Sequence, residues 1–274
     1  MRVTRLAPIV VLTVLAVGPA RAERTFVPEQ SSSPQSDWCR DAGDTNSRYE
    51  RYCEVRPVTI AAPATLDVEA SNGSIAVTGS SRRDVSIEAR VVAQGDTADD
   101  AKSIAKSVQI LTDGGRVRAE GPNESGHRSW WVSFRIQTPT KQNTAVTSSN
   151  GSITLANLDG TIRGETSNGS MHATDLAGDV RISTSNGSLE VALSGAAWSG
   201  AGLEATTSNG SMRVDMPRDY SAHLTARTGN GSIDIDRPIT ITGRIGHDLD
   251  TDLGKGGPTL RLRTGNGSLS IRNR

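Results

Sequence analysis

The residue types that support catalysis or metal binding are scattered along this chain of 274 residues. The four histidines, His127, His172, His223 and His247, occur singly, without the HxxH or Cys/His spacing of a zinc site. Serine is frequent, but no GxSxG sequence presents one as a nucleophile. We therefore predict no catalytic residue, no metal site and no cofactor, and we interpret the chain as a protein that is not an enzyme.

A glycan-cleaving enzyme would need two carboxylates that converge on one bond. In a stacked repeat, such a pair could come from residues 18 positions apart in neighbouring units. For three acidic residues of the repeats, the residue at that spacing is not acidic. The comparisons are Asp159 with Ala177, Glu165 with Ser183, and Asp175 with Asn157. If this spacing places residues side by side, the sequence predicts that these carboxylates do not stack.

The run from Asp248 to Asp252 begins like a calcium loop, with Asp at alternate positions. It lacks the glycine that should follow the third Asp, and Thr259 stands where a bidentate Glu belongs. We interpret this run as a solvated acidic loop and predict no metal there.

Seven Asn-Gly pairs, each followed by Ser, are the most regular feature of the sequence. They are Asn72-Gly73, Asn150-Gly151, Asn168-Gly169, Asn186-Gly187, Asn209-Gly210, Asn230-Gly231 and Asn266-Gly267. The central three are 18 residues apart, and the later intervals are 23, 21 and 36 residues. A fixed period of this length is typical of repeat proteins, in which stacked units share one core. The last interval equals two periods, which predicts an intermediate repeat near residues 246–257 that has lost its Asn-Gly pair.

Between these pairs, large apolar residues alternate with polar ones, which indicates strands. Ile162 and Val180 occupy the same phase of two successive repeats, as do Ile153 and Met171. Each repeat, or coil, is predicted to contain two short strands and two turns. We expect the Asn-Gly turns to need left-handed backbone, which glycine adopts freely. The sequence thus predicts an all-β parallel β-helix, or β-solenoid, with coils of about 18 residues. Because Asn-Gly also favours hairpins, an antiparallel β-meander remains the alternative.

The first residues predict export. Arg2 and Arg5 precede an apolar run that ends before Ala20-Arg21-Ala22, which is typical of a cleavable signal peptide over residues 1–22. Residues 23–54 are predicted to form a polar leader, and residues 55–274 the repeat domain, with no membrane span in the mature chain. Without the three arginines of the signal peptide, 27 basic residues face 30 acidic ones, so we expect no nucleic-acid partner.

The leader contains the only two cysteines, Cys39 and Cys53. In an exported protein the default expectation is that they form a disulfide, here closing a short loop. Neither CxxC spacing nor a nearby histidine supports a metal or redox role for them.

Two kinds of segment interrupt the repeats. Residues 96–108 carry Ala101, Ile104 and Ala105 on one helical face, behind Asp96 or Thr97 as a cap, and are predicted to form a short inserted helix. Insertions in a solenoid usually form surface loops. We therefore expect Trp198, in the Gly-rich segment 195–202, to be exposed, and we consider it, with Trp130 and Trp131, a candidate platform for stacking sugars.

The repeat resembles a known family. TSNGS followed by an alternating strand, LxG, another strand and a further TSNGS resembles the bacterial putative-adhesin family of β-strand-repeat proteins, a domain of unknown function. The resemblance covers about residues 55–274, including ATLDVEASNGSIAV near its start and LRLRTGNGSLSIR at its end. It implies a right-handed β-helix in the cell envelope, with no catalytic motif to transfer.

Two functional hypotheses remain from the sequence. The first is a non-enzymatic exported cell-envelope protein, an adhesin or scaffold with a β-strand-repeat surface. The second is a glycan-binding or glycan-cleaving β-helix that uses the tryptophans. The partner would be an envelope protein or polysaccharide, and the location either the periplasm or the cell surface.

Overall fold

A computed structural model describes residues 37–42, 48–236 and 246–274. The predicted signal peptide, and the leader as far as residue 36, lie outside the described residues.

The described chain is all-β apart from two short helices, the 3₁₀ helix Asp37–Ala42 and helix α1, Ala98–Ser107. The strands are, in chain order, β1 (Glu50–Ala61), β2 (Thr65–Asn72), β3 (Ile75–Ser80), β4 (Asp84–Gly95), β5 (Gln109–Asp113), β6 (Arg116–Glu120), β7 (Ser129–Pro139), β8 (Asn143–Asn150), β9 (Ile153–Ala156), β10 (Asp159–Asn168), β11 (Met171–Thr174), β12 (Ala177–Asn186), β13 (Leu189–Ala192), β14 (Gly202–Asn209), β15 (Met212–Met216), β16 (Ala222–Asn230), β17 (Ile233–Asp236), β18 (Asp248–Leu253), β19 (Thr259–Asn266) and β20 (Leu269–Asn273).

These strands form two ten-stranded sheets. Sheet A has the order β1-β4-β7-β3-β9-β11-β13-β15-β20-β17, and sheet B has the order β18-β16-β19-β14-β12-β10-β8-β2-β6-β5. Successive repeat strands alternate between the sheets, so that each coil contributes one strand to each. The core lies between the two sheets, because the inward positions of both are apolar.

The repeat strands pair in parallel, and the Asn-Gly marks set the register. Asn168 pairs with Asn150 on one side and with Asn186 on the other. Ile162 pairs with Val180, and Met171 with Leu189, so the apolar positions form continuous rows through the core. The all-β prediction and the predicted phase of these rows are confirmed.

Antiparallel pairing also occurs, at the two ends of the sheets. At one end it joins β1 to β4, β4 to β7, and β5 to β6; at the other it joins β16 to β18. Pairing is therefore parallel in the repeats and antiparallel in the segments that flank them.

The order of the last coils differs from the expectation. Strand β19 lies between β14 and β16, and β20 lies between β15 and β17, so the C-terminal coil is inserted between two coils that precede it in the chain. The prediction of a lost repeat near residues 246–257 is wrong. Part of that segment is β18, an antiparallel partner of β16, and Asn230 pairs directly with Asn266.

The backbone conformation of the Asn-Gly turns also differs in part from the left-handed conformation that the sequence predicted. Gly73, Gly231 and Gly267 have positive φ, but Gly169 and the other three glycines of the Asn-Gly pairs lie outside the left-handed region. Glycine is required at residue 169 because a Cβ atom there would overlap the carbonyl oxygen of Gly151 in the preceding coil. Left-handed backbone occurs at Asn157 (φ 55°) and Asp175 (φ 53°), in the second turn of two successive coils.

Helix α1 lies close to the predicted position, about residues 96–108. Its N-cap is Thr97, whose hydroxyl accepts a hydrogen bond from the backbone nitrogen of Asp100 over 3.1 Å. Ala101, Ile104 and Ala105 are buried, and the helix packs against β4 and β1. It therefore covers part of the antiparallel end of sheet A.

Candidate functional site

Where β10 and β12 pair, no acidic residue lies directly opposite another acidic residue. Asp159 pairs with Ala177, and Glu165 pairs with Ser183, as the 18-residue spacing predicts. Asp179 lies within 3.4 Å of Arg163, so its charge is neutralised in the sheet surface.

The acidic run that resembles a calcium loop is part of strand β18. His223 bridges two of its residues, with Nδ1 2.9 Å from Asp252 and Nε2 3.4 Å from Asp250, and Asp248 forms an ion pair with Arg227. The interpretation as a loop is wrong, because these side chains cross-link β18 to β16. Within residues 37–42, 48–236 and 246–274, no group of three His, Cys, Asp or Glu side chains is arranged to hold a metal ion.

Trp198 is not a surface platform. It is 5% exposed, and its indole nitrogen donates to the carbonyl oxygen of Gly178 over 3.1 Å. The expectation of an exposed Trp198 is wrong, because its indole packs into the core although residues 194–197 and 199–201 around it are exposed. The ring faces are therefore unavailable to a sugar.

Trp130 and Trp131, by contrast, line a cleft of about 540 Å³. The cleft lies between the start of β7 in sheet A and strands β2, β6 and β8 of sheet B. Its walls are the start of β7, the end of β2, part of β6 and the loop 121–128, and its floor includes Thr147 and Ser149 from β8. The structure thus brings together two of the three candidate tryptophans and Asn72.

Trp130 forms the more rigid part of the cleft. Its indole nitrogen donates to the carbonyl oxygen of Pro122 over 2.9 Å. Gly121 lies against the ring so closely that a Cβ atom there would be 2.7 Å from Cε2 of the indole. The side chain also packs against the core, so one face of the Trp130 ring contacts the protein interior and is not accessible to a ligand.

Trp131 is the less constrained of the pair. Alternate residues of a strand point to opposite faces, so Trp131 cannot share the core-facing position of Trp130. Its ring is half-buried and lies 5.7 Å from the guanidinium carbon of Arg51, within the range of a cation–π interaction. Trp131 therefore lies on the face of β7 opposite the core-facing side, where its ring packs beside Arg51.

Charged side chains at the mouth of the cleft are paired. Arg128 contacts Glu124 at 2.7 Å and Asp100 at 3.6 Å, and the hydrogen bond to Glu124 is the main reason that the pKa of Arg128 is raised. Arg118 contacts Glu120 at 3.1 Å. With Glu69 also in the lining, the cleft carries both signs of charge and no strong excess of either.

The loop 121–128, which forms one wall of the cleft, is attached to residues near the start of β1 and the end of β4. His127 stacks on Tyr49 with the ring centroids 4.3 Å apart, and its carbonyl oxygen accepts a hydrogen bond from Gln94 over 3.0 Å. Cys39 and Cys53 form the predicted disulfide, which attaches the 3₁₀ helix to β1. Next to Cys39, Trp38 lies 3.9 Å from the guanidinium carbon of Arg135 on β7. The His127 contacts hold the loop against β4 and Tyr49, and the disulfide and Trp38 hold the 3₁₀ helix against sheet A.

A second surface is formed by the exposed asparagines of the Asn-Gly pairs. The asparagines form a row in the order Asn72, Asn150, Asn168, Asn186, Asn209, Asn266, Asn230. From Asn150 onward, each amide nitrogen donates to the amide oxygen of the preceding member, over 2.8–3.1 Å, and Asn72 only accepts. We call this row the Asn ladder. It begins at the cleft, which Asn72 lines, and ends at the inserted C-terminal coil and its neighbour.

Sequence reasoning did not identify Arg118, Glu124 and Arg128 as cleft residues. The Glu124-Arg128 spacing and the adjacent tryptophans, of which only one can face the core, were available signals. Their convergence with Asn72 depends on long-range pairing of β7 with β3, which the local sequence does not encode.

Among the described residues, none of the helices has the length and apolar character needed to cross a lipid bilayer. No family model and no curated protein matches the chain. Solved structures do. The chain resembles bacterial putative adhesins.

One is a putative cell adhesion protein from Clostridium sporogenes ATCC 15579, with 11% identity over 82% of this chain and 100% of that chain, and a TM-score of 0.39. Another is a putative adhesin (BF0245) from Bacteroides fragilis NCTC 9343, with 12% identity over 81% of this chain and 97% of that chain, and a TM-score of 0.40. A third is a putative lipid binding protein from Parabacteroides distasonis ATCC 8503, with 12% identity over 80% and 96% of the two chains, and a TM-score of 0.30.

Proposed function

We propose that this chain is a non-enzymatic, exported cell-envelope adhesin whose repeat domain is a right-handed parallel β-helix. Right-handedness is supported by the general rule that about 98% of crossovers between parallel strands of one sheet are right-handed. Export is supported by the predicted signal peptide and by the disulfide, which is typical of oxidising compartments.

The observation that carries the proposal is the cleft at Trp131, mounted at the end of a rigid repeat. Binding sites are often concave and combine aromatic surface with a few fixed polar groups. Here Trp130 and Trp131 contribute the aromatic lining, and Asn72 on β2 and Thr147 and Ser149 on β8 supply amide and hydroxyl groups. Because Asn72 is the first member of the Asn ladder, its amide is positioned by the coils behind it.

Glycan binding is the second candidate function, and the chemistry of the cleft favours it over glycan cleavage. Aromatic rings and neutral amide or hydroxyl groups suit sugars, whose faces are apolar and whose edges carry hydroxyls. Two carboxylates line the cleft, Glu69 and Glu124, but Glu124 is held by Arg128 at 2.7 Å. The Glu124 carboxylate is thus engaged by a guanidinium and is not free to act on a glycosidic bond.

The test is co-sedimentation of the chain from residue 23 onward with cell wall, surface polysaccharide and envelope-protein fractions of the producing organism. We expect saturable binding to one fraction, with at least about a tenfold loss of affinity in Trp131→Ala because an aromatic anchor is removed. Trp38→Ala is the matched control, since it removes a half-buried tryptophan that lies against Arg135, outside the cleft lining. Equal binding by both variants would remove the cleft from the proposal, and absence of binding to every fraction would overturn adhesion itself.

A further inference from the structure

The Asn-Gly pairs carry a chemical reactivity that is separate from adhesion. In an Asn-Gly sequence the backbone nitrogen of the glycine can attack the side-chain amide carbon of the asparagine, because glycine has no side chain to hinder the approach. All seven asparagines are exposed, so solvent access does not distinguish them. The seven pairs differ instead in whether the glycine nitrogen, which is the attacking atom, donates a hydrogen bond.

In six of the seven pairs, the glycine nitrogen is engaged in a hydrogen bond to the next coil. Gly151 donates to the main-chain oxygen of Asn168 over 3.1 Å, and Gly169 donates in the same way to Asn186. The equivalent donors in the other coils are Gly73, Gly187, Gly210 and Gly267, over 2.8–3.0 Å. Attack by any of these nitrogens requires the turn to leave the sheet, which is a local unfolding event.

Gly231 is the exception. Asn230 is the last member of the Asn ladder, so no further Asn-Gly turn follows to accept a hydrogen bond from Gly231. Among the described residues, the nitrogen of Gly231 has no hydrogen-bond acceptor. Gly231 is also exposed, whereas the other six glycines are half-buried. The lost hydrogen bond and the greater exposure both follow from this terminal position, and they single out the same pair.

We propose that Asn230 is a site of spontaneous deamidation and that the fold protects the other six asparagines. The Gly231 nitrogen forms a bond to Cγ of Asn230 and loses its proton, and the bond from Cγ to Nδ2 breaks as ammonia leaves. Water then opens the resulting succinimide to aspartate or isoaspartate. The reaction consumes one water, releases one ammonia and involves no change of oxidation state.

The product alters the end of the ladder. In the ladder, Asn230 only donates, from Nδ2 to the amide oxygen of Asn266 over 2.8 Å. A carboxylate at residue 230 cannot donate, so two acceptors face each other, and isoaspartate also lengthens the main chain between β16 and β17. Deamidation therefore loosens the terminal coil and adds a negative charge there. The selectivity follows from the ladder alone and does not depend on what the cleft binds.

The rates are measurable by incubating the folded chain at mildly alkaline pH and quantifying deamidation in peptides around each Asn-Gly pair by mass spectrometry. We expect Asn230 to react at least about tenfold faster than any of the other six, because they react only after local opening. In urea, where the hydrogen bonds are gone, the seven rates should converge. Similar rates in the folded chain, or a faster reaction at another pair, would overturn the proposal.

Two product mimics test the structural consequence. Asn230→Asp removes the only ladder donor at that position, so hydrogen exchange of β16 and β17 should accelerate several-fold. Asn72→Asp is the matched control at the other end, because Asn72 only accepts in the ladder, and a carboxylate still accepts from Asn150. Equal acceleration at the ends of the ladder in both variants would contradict the assigned roles.

Discussion

Thr166 donates a hydrogen bond from its hydroxyl to the main-chain oxygen of Gly151 over 2.9 Å, although the two residues lie in different coils. Thr184 does the same to Gly169, and Thr207 to Gly187. The hydroxyls are buried at the inner side of the turn, whereas the Asn ladder runs along its outer side. In the first coil Ala70 takes this place, where β2 neighbours β6 instead of another Asn-Gly coil. The repeated Thr-Ser-Asn-Gly sequence is therefore a device for joining coils at each turn.

Thr166→Val tests this buried bond. The substitution keeps the shape of the side chain but leaves the Gly151 oxygen without its partner. We expect a loss of about 1–3 kcal/mol in the free energy of unfolding, measured by urea titration, because a buried acceptor loses its hydrogen bond. Thr161→Val, at an exposed position of the same strand, is the control and should change stability little. A similar effect of both substitutions would mean that strand propensity, not the turn bond, dominates.

Gly169→Ala tests the close approach of the coils. A Cβ atom at residue 169 would overlap the Gly151 carbonyl, which is itself fixed by the hydroxyl of Thr166. We expect a loss of at least about 1–3 kcal/mol, as for other overpacked sites, seen as a lower midpoint of thermal unfolding.

The control for this substitution is Gly246→Ala, because nothing lies within 4 Å of the added Cβ atom and the backbone is not left-handed there. If Gly169→Ala were as stable as this control, neighbouring coils would have to separate without cost, which the parallel register does not allow.

The repeat sequence predicted much of the fold because each coil repeats the same physical solution. The phase that puts Ile162 next to Val180 follows from period-two alternation and from the 18-residue step, so the core could be read locally. The role of Gly169 could not be predicted, since it depends on how closely the carbonyl of Gly151 in the neighbouring coil approaches it. Trp198 failed as a surface candidate for the same reason: its partner, Gly178, belongs to an earlier coil.

The spatial order of the last coils was also beyond the sequence, because nearly identical turns can pair with one another in any order. One signal was present. The turns of Asn230 and Asn266 share Thr-Gly-Asn-Gly, where the earlier turns have Ser before Asn, and these two asparagines are neighbours in the structure. The cleft depended on long-range pairing of β7, so only its tryptophans were foreseen.

Tyr220 gives the fold a dependence on alkaline pH. Burial raises the pKa of Tyr220 to about 12 from the ordinary value of 10.0. Because the folded-state pKa is the higher one, the stabilising contribution is complete below pH 10 and is lost as the pH rises towards about 12. Unfolding titrations between neutral pH and pH 12 should show Tyr220→Phe losing less stability than the unmodified chain. Parallel curves for the two proteins would contradict ionisation of Tyr220 as a cause.

Removal of residues 258–274 tests the inserted coil. In an ordinary stack, loss of the C-terminal coil leaves the preceding coils paired. Here β19 and β20 lie inside the sheets, so β16 and β17 lose the strands that connect them to β14 and β15. Thr228 also loses the Gly267 oxygen, to which it donates over 2.9 Å. We expect amides of β16 to exchange with solvent as freely as those of an unfolded segment, while β8, β10 and β12 keep their protection.

Deletion of Arg274 alone is the control for this truncation, because it leaves all twenty described strands intact. Its exchange pattern should match that of the full chain except near the two partners of Arg274. These are the Met216 oxygen, which accepts from the Arg274 nitrogen over 2.9 Å, and Asp175, which lies 3.6 Å from its guanidinium. Persistent protection of β16 after removal of residues 258–274 would require direct pairing with β14, and would place the C-terminal coil at the end of the stack. Loss of protection confined to β16, β17 and β18 is the outcome that the observed strand order demands, since these three strands reach the remainder of the sheets through β19 and β20.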